Sequence, residues 1–235
     1  MLILALETSA KAVSVALVQD GVLLGEYYQN SGQTHSRTLM KLAQDLLCNC
    51  DLAPSDVTHV AYANGPGSFT GIRIGAAAAK GFCWGAEVPC LPVSTLLAMA
   101  RLHTELEGII CPCMDARRSQ VYNALFRCEA GTLRRLRPDR ALSLEELSED
   151  LAGFREPIYL VGDGALLTWQ TLNERHKLIL LPEHLRQQRA AGVALAGYDA
   201  ALLGQTADAA LAVPNYLRLS QAERERLARE NEKGE

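Results

Sequence analysis

Two short stretches gather the residues best suited to chemistry. The first is Glu7-Thr8-Ser9, which closes an apolar run over residues 2–6. The second covers residues 64–75 and reads N-G-P-G-S-F-T-G-I-R-I-G, with Gly65, Gly67, Gly71 and Gly75 as its glycines. A loop this rich in glycine lets backbone N–H groups come close to an anion or to another part of the chain. It is not a Walker phosphate loop, because no Gly-Lys-Ser/Thr follows the last glycine. Nor is it a dinucleotide fingerprint: Gly65, Gly67 and Gly71 give G-x-G-x-x-x-G, one residue too long. On spacing alone, a ligand loop and a tight strand-to-helix turn stand as equal alternatives.

Other chemistries are more thinly supplied. Ser9, Ser36 and Ser68 are available as nucleophiles, with His35 and His59 as bases, but no G-x-S-x-G elbow is present. His35, beside Ser36, reads as a capping or surface residue. The five histidines, His35, His59, His103, His176 and His184, include no i, i+4 pair and no H-E-x-x-H. Cys48/Cys50 and Cys111/Cys113 are C-x-C pairs, whereas zinc knuckles use C-x-x-C, so they read as small core residues. Glu7 stands where an acid could handle a phosphate, or where an ordinary carboxylate meets solvent. Asp115 ends a later run in the same way and is followed by Arg117 and Arg118. Asp163, between Gly162 and Gly164, reads as a turn residue. No catalytic residue, metal ligand or cofactor site is assigned.

The elements that must position these residues follow from periodicity. Residues 2–7, 13–18 and 22–28 read as a three-strand meander turning at Asp20-Gly21. Thr34 caps a helix from 35 to about 50, whose apolar residues cover an arc of about 160°. Residues 57–63 form a strand and 71–85 a helix. On that helix Gly71, Ile74, Gly75, Ala78, Phe82 and Gly85 share one face, and only Arg73 and Lys80 mark a polar side. Such a helix is buried on two sides. Its small-residue face could meet a partner helix or lie inside its own lobe.

Further on, residues 94–107 read as helix, 109–114 and 120–128 as strands, and 133–154 as irregular and helical. Residues 158–161 and 178–181 read as strands, and 166–175 and 189–203 as helices. A meander followed by alternating helices and strands gives an α/β chain of two lobes. Residues 1–105 make the first lobe and 106–204 the second, with a return to the first over 205–219 and a charged tail over 220–235.

The totals agree with a folded soluble protein. The chain has 235 residues, 49% hydrophobic and 21% charged, enough to bury a real core. A net charge of −4 argues against an autonomous nucleic-acid binder. Arg134, Arg135, Arg137 and Arg140 offer a local basic patch or a solvated face. Seven cysteines with no secretion signal point to reduced thiols in the cytoplasm, and no run is long enough to span a membrane.

These motifs together resemble the TsaB (YeaZ) family. The likeness rests on Glu7-Thr8-Ser9, T-H-S-x-x-L from Thr34, and G-P-G-S-F-T-G-x-R-I-G from Gly65. D-A-R-x-x-x-V-Y from Asp115 and P-x-Y-L-R from Pro214 add to it. The resemblance covers nearly the whole chain. It implies the two-lobed actin/Hsp70/sugar-kinase (ASKHA) fold, with a shortened second lobe. It also implies a non-catalytic subunit that pairs with TsaD and helps recruit the ATPase TsaE. That complex transfers threonylcarbamoyl from threonylcarbamoyl-AMP to N6 of adenosine 37, in tRNAs reading codons that begin with A. tRNA is then met only through the complex, and the isolated subunit self-associates as a homodimer.

Where the catalytic paralogue has two metal-binding histidines, this chain has Thr95 and Met99. The resemblance therefore implies no metal. It assigns Leu39, Ala43, Leu46, Gly71, Ile74, Gly75, Ala78 and Phe82 to the partner surface. Gly65, Gly67, Ser68, Thr70, Gly71 and Arg73 form the glycine loop. Gly75→Arg or Ala78→Glu is expected to break pairing and leave the fold intact. A phosphotransferase or ATPase on the same fold, and a metallopeptidase, are the alternatives.

Overall fold

The structure, a computed structural model, describes residues 1–210 and 213–218; the expected tail over 220–235 lies outside the described residues. The chain begins with strands β1 (Leu2–Glu7), β2 (Val13–Gln19) and β3 (Val22–Gln29), then helix α1 (His35–Asn49) and strand β4 (His59–Gly65). Helix α2 (Phe69–Ala86), strand β5 (Cys90–Ser94) and helix α3 (Thr95–Arg101) follow. Next come β6 (Gly108–Asp115), β7 (Gln120–Glu129), β8 (Thr132–Ser143) and helix α4 (Leu144–Leu151). The last elements among the described residues are β9 (Ile158–Val161), α5 (Ala165–Leu172), β10 (Leu178–Leu180), α6 (Glu183–Arg186) and α7 (Ala190–Leu202).

The strands form two five-stranded sheets, ordered β3-β2-β1-β4-β5 and β10-β9-β6-β7-β8. β1 lies at the centre of the first, antiparallel to β2 and parallel to β4. Every residue of β1 is buried, as its uninterrupted apolar run requires for a strand covered on both faces. Leu4, Leu6, Val15 and Leu17 point toward α1 and α2, where Leu39, Leu46 and Tyr62 complete the core. Ile3, Ala5, Ala16 and Val18 face α7. Each buried Leu, Ile or Val among them contributes about 1.5–3 kcal/mol.

In the second sheet α4 and α5 cover one face, through Leu147, Leu151 and Leu172 on Ile109, Leu125 and Leu160. α3 covers the other, where Leu96, Met99 and Ala100 pack on Ile110 and Phe126.

Several expectations are corrected. α7 packs on the first sheet, so the chain re-enters the first lobe at Ala190 and not at 205. Glu26 fixes this: it is paired with Arg189 and accepts a hydrogen bond from the Ala191 N–H, while Ser14 Oγ accepts from Ala190 N–H at 2.8 Å. A buried carboxylate and a hydroxyl thus answer the first amides of the helix. Residues 133–143 form β8, not irregular structure. Its arginines sit on an edge strand and are answered by carboxylates, Arg135 by Asp139 and both Arg137 and Arg140 by Asp150. Two carboxylates thus offset part of the basic patch within the lobe. β5 and α6 were not anticipated, and α3 ends at Arg101 instead of reaching 107. Thr34 precedes α1 as expected, yet its side chain makes no capping bond.

Candidate functional site

The glycine loop joins β4 to α2 through a cis Gly65–Pro66 bond. Ser68 caps the helix, its Oγ accepting from Gly71 N–H at 3.3 Å. The close approaches that the glycines permit are made by the chain itself. A Cβ on Gly67 would stand 2.5 Å from the Ser9 carbonyl oxygen, and one on Gly71 would collide with the carbonyl of Thr8. Ser68 N–H donates to the Ser9 carbonyl at 2.7 Å, and Thr8 Oγ1 donates to the Gly71 carbonyl at 2.8 Å. Of the two readings left open by spacing, the packing one accounts for Gly67 and Gly71: they seat α2 on the turn after β1. Thr70 and Arg73 are exposed.

This seam forms one wall of a cleft of about 550 Å³ between the lobes. Ser9, Lys11, Gly67 and Phe69 line it from the first lobe, and Asp115, Arg117, Tyr122 and Asp163 from the second. Glu7 lies beneath it, fully buried. Its Oε1 accepts from Ser9 N–H at 2.5 Å, and Oε2 has no partner among the described residues. Burial pushes its carboxyl pKa up to about 7, against the pull of the Ser9 hydrogen bonds, and nearby Asp163 adds to the rise. Asp163 touches the solvent of the cleft but is walled by protein on its other sides. That desolvation raises its carboxyl, while Gln188 Nε2 donates to it at 2.8 Å.

A strap closes the cleft, and periodicity gave no sign of it. Asn215, Tyr216, Leu217 and Arg218 line the cavity. Tyr216 stacks on Phe69 with ring centroids 4.4 Å apart, Arg73 lies 4.0 Å over the Phe69 ring, and its Nε donates to Tyr216 Oη at 2.7 Å. Asn215 N–H donates to the Asn64 carbonyl at 2.7 Å. Arg218 Nη1 reaches the Ala116 carbonyl at 2.5 Å, on the second lobe. Short-range pairing could not reveal these contacts, since 143 residues separate Arg73 from Tyr216. The P-x-Y-L-R motif was the available signal.

The partner-surface residues divide. Leu39, Ala43, Leu46, Gly71 and Gly75 are buried inside the first lobe, so they support the surface from below and do not present it. The reason is helix phase: Gly71 and Gly75, part of what resembled a docking stripe, face Thr8. Ile74, Ala78 and Phe82 lie half-buried at the flank of α2. A Cβ on Gly75 would strike the Thr8 hydroxyl, so Gly75→Arg attacks the fold, contrary to expectation. Between α1 and α2 runs an open groove of about 470 Å³, lined by Met40, Gln44, Leu47, Cys48, Leu52 and Phe82 among others. Beside it the exposed face of α2 presents Ala77, Gly81 and Trp84, the last 85% exposed.

The remaining candidates are structural. His35 Nε2 bonds to the Ala12 carbonyl at 3.1 Å. Cys111 and Cys113 are buried, whereas Cys48 is exposed. Thr95 and Met99 are buried, Met99 in the core between α3 and the second sheet. Among the described residues, no group of three or more histidines, cysteines and carboxylates is placed to hold a metal ion. Among those residues, too, no helix is long and apolar enough to cross a membrane.

Comparison with known proteins places this geometry. The family model described as "TsaD: tRNA N6-adenosine threonylcarbamoyltransferase" matches residues 27–226. The tRNA threonylcarbamoyladenosine biosynthesis protein TsaB of Bacillus subtilis is 33% identical over 225 residues, covering 95% of this chain and 96% of that one. The Escherichia coli protein of the same name is 33% identical over 183 residues, 77% of this chain and 78% of its own. Among solved structures, YeaZ from Pseudomonas aeruginosa superposes with a TM-score of 0.77 at 28% identity, over 92% of this chain and 99% of that one. The component A of (R)-2-hydroxyglutaryl-CoA dehydratase from Acidaminococcus fermentans, 12% identical with a TM-score of 0.55, covers 86% of this chain and 99% of its own. That likeness concerns the fold alone, the two-lobed ASKHA type. A third of all positions shared along almost the entire length, on a superposable fold, makes this chain a member of the TsaB (YeaZ) family of tRNA threonylcarbamoyladenosine biosynthesis.

Proposed function

We propose that this chain is a non-catalytic subunit that pairs with a TsaD-type catalytic subunit in cytoplasmic synthesis of threonylcarbamoyladenosine. The observation that carries this reading is the open groove between α1 and α2, whose lining holds no charged residue. There Met40, Phe82 and Trp84 flank a groove, and Ala77 and Gly81 allow close backbone approach. The catalytic subunit docks there, the ATPase TsaE joins the pair, and tRNA is held by the assembly. The isolated chain pairs with itself through the same face. The product is adenosine 37 carrying threonylcarbamoyl on N6, and this chain contributes position, not chemistry.

The test is sedimentation of a mixture with the catalytic paralogue, alongside product formation with and without this chain. Gly81→Arg is the informative variant, because nothing among the described residues lies within 4 Å of a Cβ at that site. It is expected to keep the melting temperature within about 2 °C and to weaken pairing at least ~100-fold, with product formation lost in step. Unchanged pairing in a folded Gly81→Arg chain would remove the α1–α2 face from the proposal. Steady ATP turnover by the isolated chain would instead favour the phosphotransferase reading, with the cleft above Glu7 as its site.

A further inference from the structure

Helix α2 ends over two thiols that the proposed function does not use. Cys83 lies in the final turns of α2 and Cys90 opens β5; their sulfurs share a hydrogen bond at 2.9 Å. Both are free and buried. A disulfide has an S–S length of about 2.05 Å, so the sulfurs need approach by less than about 1 Å. The residues that join them, 84–89, are exposed or half-exposed, and Cys90 also pairs with Ala207. That connection is weakly held. Gly81 and Gly85 sit in the last turns with nothing among the described residues within 4 Å of a Cβ, and Glu87 ends the helix with a φ of 56°. Glycines in a helix and a left-handed non-glycine cap both favour local opening.

We propose that Cys83 and Cys90 are a dithiol that a hydroperoxide converts into a reversible disulfide, tying the end of α2 to β5. The pair is asymmetric. The hydrogen bond with Cys83 holds the Cys90 thiol below its ordinary range, and Lys80 adds to this against the opposing effects of burial and Asp208. The same bond and burial hold Cys83 above that range. Tyr62, also facing the pair, stays protonated because burial raises its phenol. Attack is assigned to Cys90, the thiol near Lys80, whose charge favours its thiolate. Its sulfur takes an oxygen from the peroxide, releasing hydroxide and leaving a sulfenic acid. The Cys83 sulfur then attacks Cys90, the S–S bond forms, and the hydroxyl leaves with the thiol proton as water. In sum, two thiols lose two protons and two electrons, and hydrogen peroxide takes them up to become two waters. A dithiol reductant reverses the bond.

Cys111 and Cys113 make the internal contrast. Their sulfurs are 3.7 Å apart on one strand, where Cα atoms two residues apart stand about 6.6–6.8 Å from each other, the upper limit for a disulfide. Closure of the α2 pair would fix the end of the helix that carries Phe82 and Trp84.

The experiment uses the native full-length chain, treated with hydrogen peroxide, then denatured, alkylated and digested with trypsin. Residues 81–101, bounded by Lys80 and Arg101, carry both cysteines on one peptide. That peptide is expected without alkyl groups and lighter by two hydrogens, and to become doubly alkylated after dithiothreitol. In Cys83→Ser, Cys90 has no resolving thiol and is expected to proceed to sulfinic acid. The proposal is overturned if the wild-type peptide stays doubly alkylated while the exposed Cys48 oxidises. It is equally overturned if the wild-type peptide gains sulfinic acid without closing.

Discussion

Glu7 has one oxygen answered and one not, and that imbalance is measurable. A carboxyl of ordinary pKa 4.5 is raised to about 7 here, so the folded chain keeps its proton where the unfolded chain has released it. Stability attributable to this group is greatest at or below pH 4.5. It falls as pH rises toward 7 and then levels off. The full shift corresponds to ~3 kcal/mol, an upper bound. Glu7→Gln keeps an acceptor for Ser9 N–H and removes the titration. It is expected to leave urea stability near pH 4.5 unchanged and to raise it by about 1–3 kcal/mol at pH 8. Equal effects at both pH values would mean that Glu7 does not titrate in this range. The strand-end position of Glu7 was legible in the sequence, because the apolar run stops there. Its burial was not, since the covering atoms come from residues far along the chain.

At the scale of elements, α2 shows how one residue type serves opposite ends. Gly71 rests against the Thr8 carbonyl, whereas Gly81 faces open space. Gly71→Ala is expected to cost about 3 kcal/mol or more, because backbone must move. Gly81→Ala is expected to stabilise by about 0.5–1 kcal/mol through helix propensity. Urea melts of the two variants check both signs. The sequence could not separate these glycines, as helical periodicity states which residues share a face but not what the face meets. That is why Gly71 and Gly75 looked like docking positions. β8 hid for a related reason: its arginines read as a solvated segment until Asp139 and Asp150 are seen to answer them. β5 is five residues long with Pro92 inside it, and Pro weakens any strand reading. The meander, α1, β6 and β7 were legible because alternation, turn residues and length all agreed.

At the scale of the whole molecule, the strap ends on both lobes. Tyr216 engages Phe69 and Arg73 in the first, and Arg218 reaches Ala116 in the second. Tyr216→Ala removes a stacked pair, a cation–π contact and a hydrogen bond, and is expected to cost about 1–2 kcal/mol. Faster proteolysis between residues 207 and 218, with both sheets still protected from hydrogen exchange, would show that the strap opens by itself. Global loss of protection in the same variant would show that it holds the lobes. The arrangement also makes the molecule mechanically lopsided. A pull on the C-terminal side meets Arg218, then Tyr216, Asn215, Ala210 and Ala207, each tied to its own neighbour. These attachments peel in sequence, so each carries the load alone and yields at low force. A pull on Met1 meets β1, hydrogen-bonded on both sides to β2 and β4, and must shear both ladders at once. In a force experiment the same chain is soft from one end and stiff from the other.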